Sequence, residues 1–285
     1  MQKKVGIIGG GRLGEALAKE LIRKEVPLMG ITCKHFERAK KVARSLGVSS
    51  YDSNMELAQE SDVLFVTTPD GVIRSVFQEM AEATLGKNLI VIHCSGAFSA
   101  FDMPEVVGVQ RGSFHPLQTF AGQEVSFQGL AVAMDGEGEA FEYLQYLGEL
   151  LQVVPLWVPA EERSLYHGAA CMISNYTVTL LGVAADLFGR WTSSPEMARQ
   201  VMGPLVQASV ENFQNQGALN ALTGPIIRGD TETITKHLAV LAGDSKQIYQ
   251  ILGLAALDLA KRSGKITVHQ ADPIANLLKR EGKEP

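Results

Sequence analysis

Gly9, Gly11 and Gly14 lie in the run GGGRLG, spaced G-x-G-x-x-G, directly after the apolar run Lys4–Ile8. That spacing can cradle a pyrophosphate. The first glycine permits a tight turn, the second lets the backbone approach the phosphates, and the third lets the following helix pack close to the strand. Arg12 and Leu13 lie inside the motif, and the N–H groups that open the helix present an anion with the favourable end of its dipole. After the glycines, Leu13, Ala16, Leu17 and Leu21 fall on one helical face. A glycine-rich turn between an apolar strand and an amphipathic helix reads as a dinucleotide fingerprint.

The end of the second strand separates the two nicotinamide cofactors. NAD sites place an Asp or Glu about 20 residues on, where it bonds the ribose hydroxyls. This chain has Thr32, Cys33, Lys34 and His35 there. An acid would repel a 2′-phosphate; Lys34, with Arg38 behind it, attracts one. The expected cofactor is NADP(H), NADPH being favoured over NADH. Thr68, Pro69 and Ser95 follow later strands, and ligands of open α/β sheets lie outside the carboxyl ends of strands. They are expected to line the nicotinamide half.

Hydride transfer to a carbonyl or imine needs a proton, and histidine has the closest ordinary pKa for that task. His93 and His115 come at strand ends, and His167 shares a helix with Asn175. His237 falls inside a helical pattern and is the weakest candidate. No HxxxH, HxH or CxxC spacing supports a metal, and Ser95-Gly96 is not part of GxSxG. Arg228, in the helix-breaking stretch TGPIIRGD, carries a fork suited to a carboxylate or phosphate and reads as a substrate-anion anchor. Asp230 reads as the cap of the next helix.

Elements must position these groups. Apolar runs at Lys4–Ile8, Pro27–Thr32, Asp62–Thr67, Asn88–His93, Val106–Phe114, Leu130–Met134 and Val153–Trp157 alternate in the first half with helical patterns, among them Phe36–Leu46 and Asp70–Thr84. That alternation predicts a parallel sheet. After Pro159 only helices are predicted, at Glu161–Phe188, Pro195–Gln216, Thr231–Ala242 and Ser245–Arg262. The fold class is α/β: an N-terminal Rossmann doubly wound sheet over 1–157, then an all-α domain over 158–285, with a frayed tail after Leu278. Ser164–Phe188 has no Lys or Arg, but His167, Ser174, Asn175, Thr177, Thr179 and Asp186 are costly in lipid, so a buried central helix is expected.

Composition narrows the class. Of 285 residues, 46% are hydrophobic and 20% charged, which excludes disorder; the net charge of −5 without a basic block argues against nucleic acid or an anionic membrane. Three scattered cysteines and an N-terminus without a secretory pattern give a cytoplasmic expectation. The helical half, poor in charge, is expected to form a homodimer.

With its DVLFVTTPD strand, the first half resembles the superfamily of 6-phosphogluconate dehydrogenase, ketopantoate reductase and pyrroline-5-carboxylate reductase. HCSGAFS, SFHPLQTF, SLYHGAACMISNY and ALTGPIIRGDTETITKHL are similar to a bacterial family of Rossmann-plus-helical proteins whose C-terminal domain has no known function. The superfamily's reductases commonly place a lysine on the long helix after the Rossmann domain. Here no lysine occurs between Lys87 and Lys236, and Tyr166-His167 stands at that place. The resemblance implies an NADP(H)-dependent oxidoreductase for a small anionic keto or imino acid, ketopantoate-like, with His167 as proton donor. Asn175 and His115 would orient the substrate. The alternative is an NADP(H)-binding regulatory or scaffold protein without turnover, which the missing lysine favours.

Overall fold

A computed structural model describes residues 3–83, 88–121 and 125–279. The chain divides into two compact units, 1–175 and 176–285.

Among the described residues the first unit is built on eight strands: β1 (Val5–Ile8), β2 (Leu28–Thr32), β3 (Ser49–Ser50), β4 (Val63–Val66), β5 (Leu89–His93), β6 (Val109–Pro116), β7 (Ala131–Gly136) and β8 (Val154–Trp157). Their order is β3-β2-β1-β4-β5-β6-β7-β8. The first six run parallel in the doubly wound order, β7 pairs antiparallel with β6, and β8 parallel with β7. Strands β1, β4 and β5 are buried at every residue, as a sheet covered on both faces requires. Alternate residues feed two apolar clusters: Ile90 and Ile92 join Ile7, Leu17 and Phe65, while Leu89 and Val91 join Leu64, Ile73 and Phe77.

Helices α1 (Arg12–Arg23), α2 (Phe36–Leu46), α3 (Asn54–Glu60), α4 (Asp70–Ala83) and α5 (Gly138–Leu151) cover the sheet. Gly47 ends α2 in the left-handed region, and the Ser53 side chain caps α3 by accepting from Met55 N. Strand β3 and helices α3 and α5 go beyond the sequence reading. Two residues of strand and two turns of helix leave too little periodicity to detect, and the glycines around α5 interrupt its pattern. Thr84, the expected end of α4, is outside the described residues.

A helical stretch follows β8: α6 (Arg163–Cys171), a π-turn (Met172–Tyr176) and α7 (Thr177–Phe188). The first compact unit ends inside this π-turn, at Asn175. By length and composition this stretch could cross a membrane, yet it is not the buried helix expected: Leu165 is 75% and Val178 70% exposed. A single chain leaves most of its apolar side chains uncovered.

In the second unit α8 (Pro195–Ala221) is interrupted at Gly217, and α9 (Thr231–Val240), α10 (Gly243–Arg262) and α11 (Val268–Lys279) follow. Ile234, Leu257, Ala260, Ala271, Ile274 and Leu278 form its core. Helix α11 was not expected, because Pro273 lies inside it and breaks the helical signal. Most of the tail expected to fray, residues 280–285, lies outside the described residues.

Candidate functional site

The glycine-rich turn is fixed by contacts of its own. Gly9 has φ +118°, donates its N–H to Thr32 O at 2.9 Å, and accepts from Thr67 Oγ1 at 2.7 Å. A Cβ at Gly14 would collide with the Gly9 carbonyl, so the third glycine is needed for helix–turn packing. Gly11 differs: a Cβ there would meet nothing within 4 Å. That open space adjoins the start of α1, where Gly11 is the N-cap and supplies no side chain to the helix N–H groups. An uncapped helix start with room beside it fits a pyrophosphate. Arg12 opens α1 and is exposed, whereas Leu13 packs against the core.

Beyond the turn, Lys34 is exposed and makes no hydrogen bond or ion pair among the described residues. Arg38 is engaged: Nε and Nη2 donate to Gly10 O at 2.9 and 2.6 Å, and Nη2 is 3.6 Å from Glu15 Oε1. Thr68 follows β4 with its Oγ1 buried and unpartnered among the described residues, and the exposed Pro69 precedes α4.

At the end of β5, His93 Nδ1 accepts from Ser95 N at 3.3 Å, and its buried Nε2 has no partner among the described residues. Burial pushes His93 down to about 4. Ser95 Oγ accepts from Ala97 N at 3.1 Å and Phe98 N at 3.4 Å, which folds the chain back. Next comes Gly96. A Cβ there would lie 2.5 Å from His167 Nδ1 and 2.8 Å from both Nε2 and Cε1 of His115. Two imidazoles from β6 and α6 thus close on one Cα.

His115 Nδ1 is 2.8 Å from the Tyr166 hydroxyl. His167 Nε2 is 3.7 Å from Cys171 Sγ, and its Nδ1 is buried without a partner among the described residues. Burial first, then the charges of Arg163 and His167, hold His115 at about 4. Arg163 lies underneath, 1% exposed: its Nε donates to Phe98 O at 3.1 Å and is 3.7 Å from Asp135 Oδ2, its Nη2 donates to Ser113 Oγ, and its Cζ is 5.7 Å from the Tyr166 ring centre. Asp135 Oδ1 accepts from Ala100 N at 2.8 Å, and burial raises that carboxyl. Strands β6 and β7, the turn after β5 and helix α6 all meet on this guanidinium.

Of the expected residues, His115 and His167 come together, on Gly96. Asn175 is exposed in the π-turn, where its Oδ1 accepts from Ser174 Oγ at 2.9 Å. Arg228 belongs to the second unit, exposed in the turn before α9, whose first turn Asp230 caps through Thr233 N at 3.0 Å. Tyr166, Arg163, Asp135 and Gly96 had no assigned part in the chemistry. One signal was available: Arg163 and Tyr166 are three residues apart, hence on one helical face, ahead of an otherwise uncharged stretch.

A doubly wound sheet with a pyrophosphate-fitting turn, followed by a helical domain, defines a class. The fold, a Rossmann-type sheet followed by a helical domain, is related to that of the pyrroline-5-carboxylate reductases. Residues 4–95 match the family described as NADP oxidoreductase, coenzyme F420-dependent, and residues 130–256 match a domain of unknown function (DUF2520). Pyrroline-5-carboxylate reductase of Escherichia coli is 27% identical over 114 residues, 39% of this chain and 42% of that protein. The match therefore spans less than half of this curated relative. A Bacteroides fragilis structure provisionally described as an NADP oxidoreductase superposes with a TM-score of 0.72 at 24% identity, covering 90% of this chain and 98% of that one. Pyrroline-5-carboxylate reductase of Streptococcus pyogenes gives 0.59 at 16%, covering 96% and 98%. Likeness at these identities establishes the fold alone.

Proposed function

We propose that the chain is an NADP(H)-dependent oxidoreductase that reduces the carbonyl or imine of a small anionic keto or imino acid, a ketopantoate-type reaction being the favoured specific case. One observation carries this reading. The pyrophosphate-fitting turn after β1 and the His115–Tyr166–His167 cluster occupy the same carboxyl edge of one sheet, where such sheets bind ligands. Bound there, the dinucleotide supplies a hydride. Gly9, Gly11, Arg12, Leu13 and Gly14 hold its pyrophosphate, and Lys34 takes the 2′-phosphate, with Arg38 joining if it releases Gly10 O. Thr68, Pro69 and Ser95 flank the nicotinamide. His167 would donate the proton, His115 and Asn175 would orient the substrate, and Arg228 would anchor its anion. In support of a homodimer, the helical unit carries an apolar groove of about 310 Å³ lined by Leu180, Val183, Leu187, Ile248 and Leu252.

The test is NADPH consumption with a panel of 2-keto acids and cyclic imino acids. Turnover of any of them supports the reading. Tight NADPH binding with no turnover favours a regulatory or scaffold protein. Calorimetric titration should find NADPH bound more tightly than NADH, with Lys34→Asp narrowing or reversing the gap. Equal affinities in the wild type would remove the role given to Lys34.

A further inference from the structure

We infer that Arg38 is the positioning residue of the cofactor turn, holding the Gly10 carbonyl so that the Gly11 N–H is aimed at the pyrophosphate, and that Lys34 alone reads the 2′-phosphate. The inference rests on the NADP(H) reading and deepens it, giving the two cations different tasks.

Three consecutive glycines, Gly9 to Gly11, restrict their own backbone very little, so the direction of each peptide in the turn has to come from contacts outside it. Thr67 Oγ1 holds the Gly9 carbonyl at 2.7 Å. Arg38 holds the next one: its Nε and Nη2 both donate to Gly10 O, at 2.9 and 2.6 Å. Two donors on one oxygen fix its direction more tightly than one. No peptide bond among the described residues is cis, and in a planar trans peptide the N–H points opposite to the C=O. The Gly10 carbonyl and the Gly11 N–H belong to one peptide. A carbonyl drawn towards the Arg38 fork therefore turns the Gly11 N–H away from it. That N–H has no partner among the described residues, and Gly11 is the residue beside open space, where a Cβ would meet nothing within 4 Å.

The same contacts suit Arg38 poorly to a 2′-phosphate. Nη2 is 3.6 Å from Glu15 Oε1 on α1, and only Nη1 takes no part in these contacts. A phosphate approaching this fork meets the Glu15 carboxylate as well, and like charges at that range repel. Lys34 has no such neighbour. It is exposed, two residues past β2, and makes no hydrogen bond or ion pair among the described residues. The guanidinium thus keeps the Gly10 carbonyl when the cofactor binds. Loss of Arg38 disturbs the grip on the pyrophosphate, which NADPH and NADH share, whereas loss of Lys34 removes the partner of a group that only NADPH has.

Calorimetric titration of the full chain with each cofactor tests this division. Arg38→Met should weaken NADPH and NADH alike, by about tenfold, the scale of one charge-assisted hydrogen bond, and leave their affinity ratio within about twofold of the wild type. Arg38→Gln places an amide nitrogen where the arginine Nε stands and carries no charge. It should lose less than Arg38→Met, again equally for both cofactors. Lys34→Met should weaken NADPH about tenfold or more and NADH by less than about twofold. The Arg38 side chain is more than half exposed, so its variants should melt close to the wild type, which separates a loss of aim from a loss of fold. If Arg38→Met does not fold, the ratio measured for Arg38→Gln decides. A selective loss of NADPH in either Arg38 variant would overturn the inference, and so would unchanged affinity for both cofactors. A wild type that binds neither cofactor overturns the NADP(H) reading and the inference with it; a wild type that binds both, beside an Arg38→Gln that loses NADPH alone, overturns the inference only.

Discussion

A methyl group at Gly11 would meet no heavy atom within 4 Å, whereas one at Gly96 would lie 2.5 Å from His167 Nδ1. The two glycines are thus opposite cases, Gly11 beside open space proposed above for the pyrophosphate and Gly96 against neighbours already in place. Gly11→Ala should change stability by less than about 1 kcal/mol, since its φ of −78° suits any residue, and should weaken NADPH binding at least about tenfold. Gly96→Ala should cost about 1–3 kcal/mol as both imidazoles are displaced, with NADPH binding retained. Thermal melts and calorimetric titration of both variants check this, and the reverse pattern would refute it. The spacing of Gly9, Gly11 and Gly14 was legible in the sequence because a turn's geometry is set by adjacent residues. Gly96 was not, since the rings that crowd it arrive from β6 and α6.

At the scale of elements, β5 ends in a histidine and β6 carries one just before its last residue, and burial holds both at about 4. Their ordinary value is 6.5, so below that pH the unfolded chain binds protons that the folded chain refuses. Stability is therefore fully present above about pH 6.5 and falls on acidification towards pH 4. His93 alone should account for about 2 kcal/mol between pH 7 and pH 5. Urea unfolding at pH 7, 6 and 5 measures the slope, and His93→Leu should remove its share; an unchanged slope would show that another group carries it. The strands themselves were legible as short apolar runs, because a doubly covered parallel sheet buries both faces of each strand. Helix α6 was legible as a helix, but not as the carrier of Arg163. A buried cation looks like an exposed one until Asp135 and Ser113, from two other strands, are seen against it. Removing either member of such a buried pair costs about 3–5 kcal/mol, which fixes the platform on which Tyr166 and His167 stand.

For the whole molecule, the helical unit's groove holds exposed Leu180 and Leu252, 41% and 46% accessible in one chain. The homodimer proposed above would place this apolar patch at an interface, a two-fold dimer being the commonest closed solution. Light scattering at micromolar concentration should give the mass of a dimer, and Leu252→Glu should give a monomer; a monomeric wild type would refute the assignment. The low charge of this half was legible, but which residues form the groove depends on how α7 and α10 pack. The cofactor cradle carries a last consequence, in linkage. Thr67 holds the Gly9 carbonyl and Arg38 the Gly10 carbonyl, so the chain's own hydrogen bonds support the turn's shape. Binding of NADPH there should add stability by mass action. At a free NADPH concentration one hundred times its Kd, that increment is about 2.7 kcal/mol, and the melting temperature should go on rising with the logarithm of concentration well past saturation of the site.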